Sequence, residues 1–164
     1  MIPDLAPDVT FPLLPRDESS LHYSYEVKRA AMGPHIAKKW GWDDALQQRL
    51  HRDRFDEKPF FKIARHGHGI GTVSLAQSAD HLRFGEFYLL PDFQRQGIGS
   101  LILRHCLQLA DAQCLPVRLE YLKWNPVGSL YGRHGFVVTG ETEIHWLMER
   151  PRSQTRMPKD GSKD

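Results

Sequence analysis

Apolar positions along this chain follow two rhythms. Some stretches alternate or cluster as in strands, and others repeat every three or four residues, as along one side of a helix. VTFPLL, from Val9, reads as a short edge-like strand weakened by Pro12. RDESSLHYSYEVKRAAM, from Arg16, reads as a helix opened by Asp17 or Ser19 and stopped by Gly33-Pro34. GWDDALQQRLHRDRF, from Gly41, predicts a second helix with Leu46, Leu50 and Phe55 on one side. FFKIAR, the turn HGHG and IGTVSLAQ form a strand–turn–strand unit, and LRFGEFYLL is the next strand, where Gly85 predicts a bulge.

The strongest helical pattern begins at Gly99. Ile102, Leu103, Cys106, Leu107, Ala110 and Cys114 fall on one side, and Arg104, Gln108 and Asp111 share the other. PVRLEYLKW then reads as a strand, NPVGSLYGRHG as a short helix, and FVVTG with IHWLME as a closing pair of strands. The predicted order is β-α-α-β-β-β-α-β-α-β-β. Phe84–Leu90, helix 99–113 and Val117–Lys123 make one β-α-β crossover, with parallel strands and a right-handed connection. The expectation is a mixed α/β single domain with this crossover at its centre.

Composition adds bounds. A length of 164 residues suits one domain, and 40% hydrophobic with 26% charged residues is ordinary for a soluble globular protein. The net charge of +2 is too small to argue for a nucleic-acid or membrane partner. The N-terminal MIPDLAPDVTFPLLP lacks the basic-then-apolar pattern of a secretory signal, and Cys106 and Cys114 read as reduced packing residues, so a cytoplasmic location is expected. HGHG, His66 to Gly69, has no companion cysteine or regular histidine spacing, so no metal is expected. The divisions are an extension over 1–8, the domain over 9–149 and a flexible tail over 150–164.

The handover from strand to helix, LLPDFQRQGIGS, carries the candidate chemistry. A helix N-terminus offers unpaired N–H groups and partial positive charge, glycines allow close backbone approach, and Arg95 adds a mobile cation. Together they suit a phosphate. A P-loop would need a lysine after the last glycine, and a dinucleotide fingerprint would need glycine at position 102, where Ile102 stands. Gln94-Arg95-Gln96-Gly97-Ile98-Gly99 instead resembles Q/R-x-x-G-x-G/A, the acyl-CoA pyrophosphate loop of the GNAT superfamily of N-acyltransferases. Asn125 to Phe136, NPVGSLYGRHGF, resembles that superfamily's later motif N-P-x-x-x-L-Y-x-x-x-G-F, one helix and one strand downstream. The resemblance extends from Val9 to about Glu149, and MGPHIAKKWGWDD resembles an uncharacterised bacterial branch.

That resemblance implies a GNAT-like mixed sheet of six to seven strands with four helices, whose two central parallel strands splay to admit pantetheine. It implies acetyl-CoA as co-substrate and a primary amine of a small molecule or peptide as acceptor, attacking directly in a ternary complex. Backbone groups of Phe87, Tyr88 and Leu89 are expected to bind the pantetheine arm and polarise the thioester, and Gln94, Arg95, Gln96, Gly97, Ile98, Gly99 and Ser100 to hold the pyrophosphate. Asn125 is expected to contact the ligand, to cap PVGSLY, or both. Tyr131 occupies the position of the thiolate's proton donor. A tyrosine of pKa about 10 against a thiol of about 8.5 makes full transfer uphill, so a hydrogen bond is the other role; the remaining reading is a core tyrosine beside Leu130. Glu86 and Glu120 on the central strands are candidates for a proton relay, or else solvated strand residues.

His35, Trp40 and Trp42 are candidates to border the acceptor, with the alternative that the tryptophans anchor their loop on the core. Lys38 and Lys39 point weakly to an acidic acceptor. An acyl-CoA-binding module without catalysis and an enzyme using a longer acyl-CoA both stay open. FVVTGETEIHWLM is a surface where two copies could meet.

Overall fold

The computed structural model describes residues 1–5, 7–123 and 125–153, without the side chains of Lys39 and Trp40. The expected flexible tail from position 154 onward and the Trp40 side chain lie outside the described residues. Seven strands form one sheet in the order β1-β2-β3-β4-β5-β7-β6: β1 Val9–Thr10, β2 Phe61–Arg65, β3 His68–Gln77, β4 Leu82–Leu89, β5 Val117–Leu122, β6 Val137–Glu141 and β7 His145–Arg150. Four helices, α1 Glu18–Trp40, α2 Asp44–Glu57, α3 Ile98–Ala112 and α4 Gly128–Arg133, fall in the predicted places. Among the described residues no helix is long and apolar enough to cross a membrane.

Asp17 caps α1, its carboxylate accepting from the Ser20 N–H at 2.7 Å. The helix does not stop at Gly33-Pro34 as expected but runs through them to Gly41, where φ is +76°. Met32 and Ile36 bracket the proline and are both buried, and that packing offsets the hydrogen bond Pro34 cannot donate. In α2 the expected face is wrong in part. Leu46 and Leu50 are exposed, and the buried residues are His51 and Phe55. Helix α3 buries Ile102, Leu103, Cys106, Leu107 and Ala110 as predicted, but Cys114 lies beyond its end, exposed, with φ +53°. The expected N-terminal extension is packed: Ile2 belongs to the core, Leu5 bridges Val9, and the Pro3 carbonyl meets His105 Nε2 at 2.6 Å.

The sheet separates two sets of buried side chains. One holds Leu82, Phe84, Val117 and Leu119 with the apolar face of α3 and with Phe136. Against the other, α1 packs on β3 and β4, and α2 packs on α1. Strand β4 changes face at a bulge. Thr72 pairs with Tyr88 and Ser74 with Gly85, so Glu86 and Phe87 together oppose Val73. The expected bulge is present, but the left-handed residue in it is Glu86, with φ +46°, rather than Gly85. Leu82 and Phe84 lie in the α3 core, whereas Glu86, two residues on, meets cations of α1 and α2. Thr72 Oγ1 donates to the Glu86 carbonyl at 3.0 Å and holds this reversal in place.

Strands β4 and β5 are parallel, as predicted, and pair only at Leu82–Val117 and Arg83–Arg118. Beyond Arg83 the ladder ends. The β5 strand continues on its other edge, pairing with β7 from Val117 through Leu122, so it is β4 and β5 that part rather than β5 that frays. At the far edge Val137 and Val138 of β6 are exposed, on the surface where contact between two copies is expected.

Candidate active site

The gap between β4 and β5 opens into two cavities. The larger, about 490 Å³, runs along the start of α3. Of the residues expected to hold pantetheine and pyrophosphate, Phe87, Tyr88, Leu89, Gln94, Arg95, Gly97, Gly99, Ser100 and Asn125 all line it. Gln96 and Ile98 do not. Ile98 turns into the core, and the Gln96 side chain donates to the Asp92 carbonyl at 2.7 Å, so these two shape the loop rather than wall the cavity. Gln94 also braces, donating to the Leu89 carbonyl at 2.8 Å.

The turn needs its first glycine. Gly97 sits just before α3 with φ +80° and has no side chain to cap it, leaving the first N–H groups of the helix directed outward. Arg95 is also left-handed, with φ +61°. Two such residues two positions apart turn the chain tightly from the short 3-10 turn Pro91–Phe93 into α3. The result is a helix N-terminus, an arginine and an open cavity in one place, which fits a phosphate-bearing ligand. Asn125 Oδ1 accepts from the Val127 N–H at 3.2 Å, and its Nδ2 meets Met32 Sδ at 3.4 Å. Asn125 thus fixes the approach to α4 while its residue lines both cavities.

The smaller cavity, about 160 Å³, lies on the α1–α2 side and shares Met32, Phe87, Tyr88 and Asn125 with the larger one. Tyr131, Glu86 and Glu120 all line it. Tyr131 is buried, its ring 6.3 Å from Phe84, 5.8 Å from Tyr121 and 5.6 Å from Phe136. Burial, then the Tyr121 phenol, pushes the Tyr131 pKa up, so it remains a protonated donor. Glu120 lies at the rim, 3.9 Å from Arg83.

Glu86 is not a solvated strand residue. Its side chain is 5% exposed, with Oε1 at 3.5 Å from Lys58 Nζ and 3.9 Å from Arg54 Nε. Burial pushes its pKa up, but Lys28, Arg54 and Lys58 together outweigh burial and hold it below the ordinary value. A carboxylate so stabilised is a weak base, which argues against direct proton abstraction by Glu86. Lys28 is 3% exposed, and burial, followed by the neighbouring Arg54 and Lys58, brings its pKa down to about 8 despite the attraction of Glu86. His51, hydrogen-bonded to Ser24 Oγ at 2.7 Å, is pushed down to about 4 by burial and Lys28 and adds no charge at neutral pH.

The residues expected to border the acceptor do not come together around one cavity. His35 stands in α1, not in a loop, and lines the larger cavity rather than the smaller. Trp42 lines neither. Its ring lies against Gly33 and 6.4 Å from Tyr25, and its Nε1 donates to Asp44 at 3.2 Å, so it anchors the α1–α2 connection. Lys38 is exposed on α1 and lines neither cavity. The cations Lys28, Arg54 and Lys58 went unnoticed in the sequence. Two signals were available: Ser24, Lys28 and Met32 share one buried side of α1 at four-residue spacing, and Arg54 and Lys58 are four apart.

The acetyltransferase (GNAT) domain family matches residues 56–138, just over half of the chain, from the end of α2 into β6. The chain belongs to this family. An uncharacterised N-acetyltransferase of Escherichia coli K12, YedL, is 37% identical over 73 residues, 42% of this GNAT chain and 45% of that protein, so the match spans less than half of the relative's length. The PaiA N-acetyltransferase of Thermoplasma acidophilum in complex with coenzyme A has the same fold, with a TM-score of 0.66 at 19% identity over 88% of this chain and 99% of that one. The ribosomal-protein-S18-alanine N-acetyltransferase of Escherichia coli aligns with a TM-score of 0.63 at 18% identity, over 90% and 96%. At these identities the likeness is one of fold.

Proposed function

We propose that this protein transfers an acetyl group from acetyl-CoA to a primary amine by direct attack in a ternary complex. The observation that carries the reading is the junction of the two cavities at Met32, Phe87, Tyr88 and Asn125, where β4 has parted from β5. The larger cavity, with Gly97, Gly99, Ser100 and Arg95, takes the pyrophosphate and pantetheine; the smaller takes the amine. Backbone groups of Phe87 to Leu89, released from the β5 ladder, polarise the thioester carbonyl. Tyr131 hydrogen-bonds the departing thiolate. Its raised pKa favours that role over complete proton transfer.

The amine arrives as an ammonium, and Glu86 attracts it without taking its proton. One proton must leave the ammonium through water before its nitrogen has a lone pair with which to attack, and the more acidic tetrahedral adduct then loses a second, by water toward Glu120 at the rim. Direct attack is supported by the cysteines. Cys106 is buried in the core with its thiol pushed up to about 12, and neither Cys106 nor Cys114 lines either cavity, so neither offers a thiol for an acyl-enzyme. The small volume on the acceptor side supports a short acyl group over a long one.

Incubation of the protein with acetyl-CoA and a panel of amines, with detection of free CoA thiol, tests the reading. Intersecting initial-rate plots are expected for acetyl-CoA against amine. Parallel plots would overturn direct attack, and acyl-CoA binding without thiol release on any amine would favour a non-catalytic module.

A further inference from the structure

The acceptor side of the site carries an unbalanced charge. Lys28 from α1, Arg54 from α2 and Lys58 from the residue that ends α2 surround one carboxylate, that of Glu86 on β4. Arg83 and Glu120 compensate each other at the rim, 3.9 Å apart. His51, held neutral behind the cluster, adds nothing. Among the described residues the cluster therefore carries two positive charges more than its one carboxylate balances, beside a cavity of about 160 Å³, with two of the three cations mostly buried. Buried charge without a counter-ion is costly, and a fold that keeps it gains by binding an anion there.

A second observation gives that anion an amine. Glu86 Oε1 is engaged by Lys58 and Arg54 and the buried Tyr88 phenol also bears on the carboxylate, while Oε2 is buried with no partner in hydrogen-bond geometry among the described residues. An unpaired carboxylate oxygen in a closed site calls for an N–H donor. The same cavity thus offers one acceptor for an ammonium group and two surplus cations for a carboxylate.

Building on the acyl-transfer reading above, we propose that the acceptor is a small amino acid, its amine directed to Glu86 Oε2 and its carboxylate held among Lys28, Arg54 and Lys58. A polyamine fits poorly, because it brings further positive charge to a site that already has an excess. A peptide N-terminus lacks the adjacent carboxylate that the cations need. The volume agrees: a cavity of this size suits a compact zwitterion. Lys28, with its pKa near 8, is still largely charged at neutral pH and contributes to the attraction.

The test uses the full chain with acetyl-CoA, the standard amino acids, the α-carboxamide of each, and spermidine as a polycation. Thiol release is expected to be at least tenfold more efficient, in kcat/KM, for the best amino acid than for its amide. Arg54→Gln and Lys58→Gln, at the two less buried cations, should shrink that preference by raising KM for the acid severalfold more than KM for the amide. An amide or spermidine used as well as every acid would overturn the proposal while leaving acyl transfer intact. Should no amine release thiol, thermal stabilisation of the CoA-loaded protein decides. A shift with acids and none with amides supports the site, and equal shifts or none refute it.

Discussion

Replacing Lys28 by methionine is expected to stabilise the protein near neutral pH and to weaken its function. Lys28 is 3% exposed, and its pKa stands at about 8 instead of 10.5, with burial the leading cause. In the unfolded chain the ammonium keeps its proton up to about pH 10.4. Between the two values the unfolded state binds more protons than the folded one, so stability rises with pH through that window. The contribution is complete above the unfolded value and is lost as pH falls through about 8. At about 1.4 kcal/mol per tenfold, carrying the charged group into the fold costs about 3 kcal/mol at pH 7.

Methionine has similar reach and no charge to desolvate. Against this gain, Glu86 loses one of three compensating cations, although Lys58 at 3.5 Å and Arg54 at 3.9 Å remain. The lowered pKa already includes the Glu86 attraction, so that loss is not subtracted again and Lys28→Met should add about 3 kcal/mol to the unfolding free energy at pH 7. By pH 10 the wild-type lysine is neutral when folded, and most of the advantage should disappear. Urea unfolding of both proteins at pH 7 and pH 10 measures this, because titrations common to both cancel in the difference. A variant less stable than wild type at pH 7, or a difference that does not change with pH, would refute the argument that Lys28 is held at a desolvation cost. The same variant should show a raised KM for the acceptor, the cation being retained for binding rather than for folding.

Tyr131→Phe should lower kcat tenfold or more, roughly the lower end for losing a proton or hydrogen-bond donor, with acetyl-CoA affinity by calorimetry nearly unchanged; wild-type turnover would remove Tyr131 from the reaction. Gly97→Ala places a Cβ at φ +80° and should cost about 1 kcal/mol in stability and raise KM for acetyl-CoA more than KM for the amine; an effect confined to the amine would reverse the assignment of the two cavities. Asp17→Ala removes the 2.7 Å cap on Ser20 and should cost about 1 kcal/mol in thermal or urea unfolding with activity at 25 °C unaffected; a loss of activity without a loss of stability would contradict a purely structural role.

What the sequence alone determined is what local chemistry determines. The apolar face of α3, the order of elements, a cap at Asp17 or Ser19, of which the fold uses Asp17, and the turn at Gly97 follow from residue spacing and from backbone preferences acting within a few positions. Those local features, with the NPVGSLYGRHGF stretch, made the candidate phosphate-binding loop legible in the residues themselves. The proposed acceptor side was not legible in the same way. Pro34 reads as a stop, yet Met32 and Ile36 find partners that hold the helix through it, which moves His35 from a loop into the wall of the larger cavity. Trp42 looks like a ligand wall and is an anchor, because Gly33 and Tyr25 lie where its ring can pack. Glu86 reads as one residue of an alternating strand. Only the bulge opposite Val73 turns it toward Lys28, Arg54 and Lys58, between 28 and 58 positions away. Charge balance in a closed cavity is a sum over elements distant in sequence, and packing decides which of them share it.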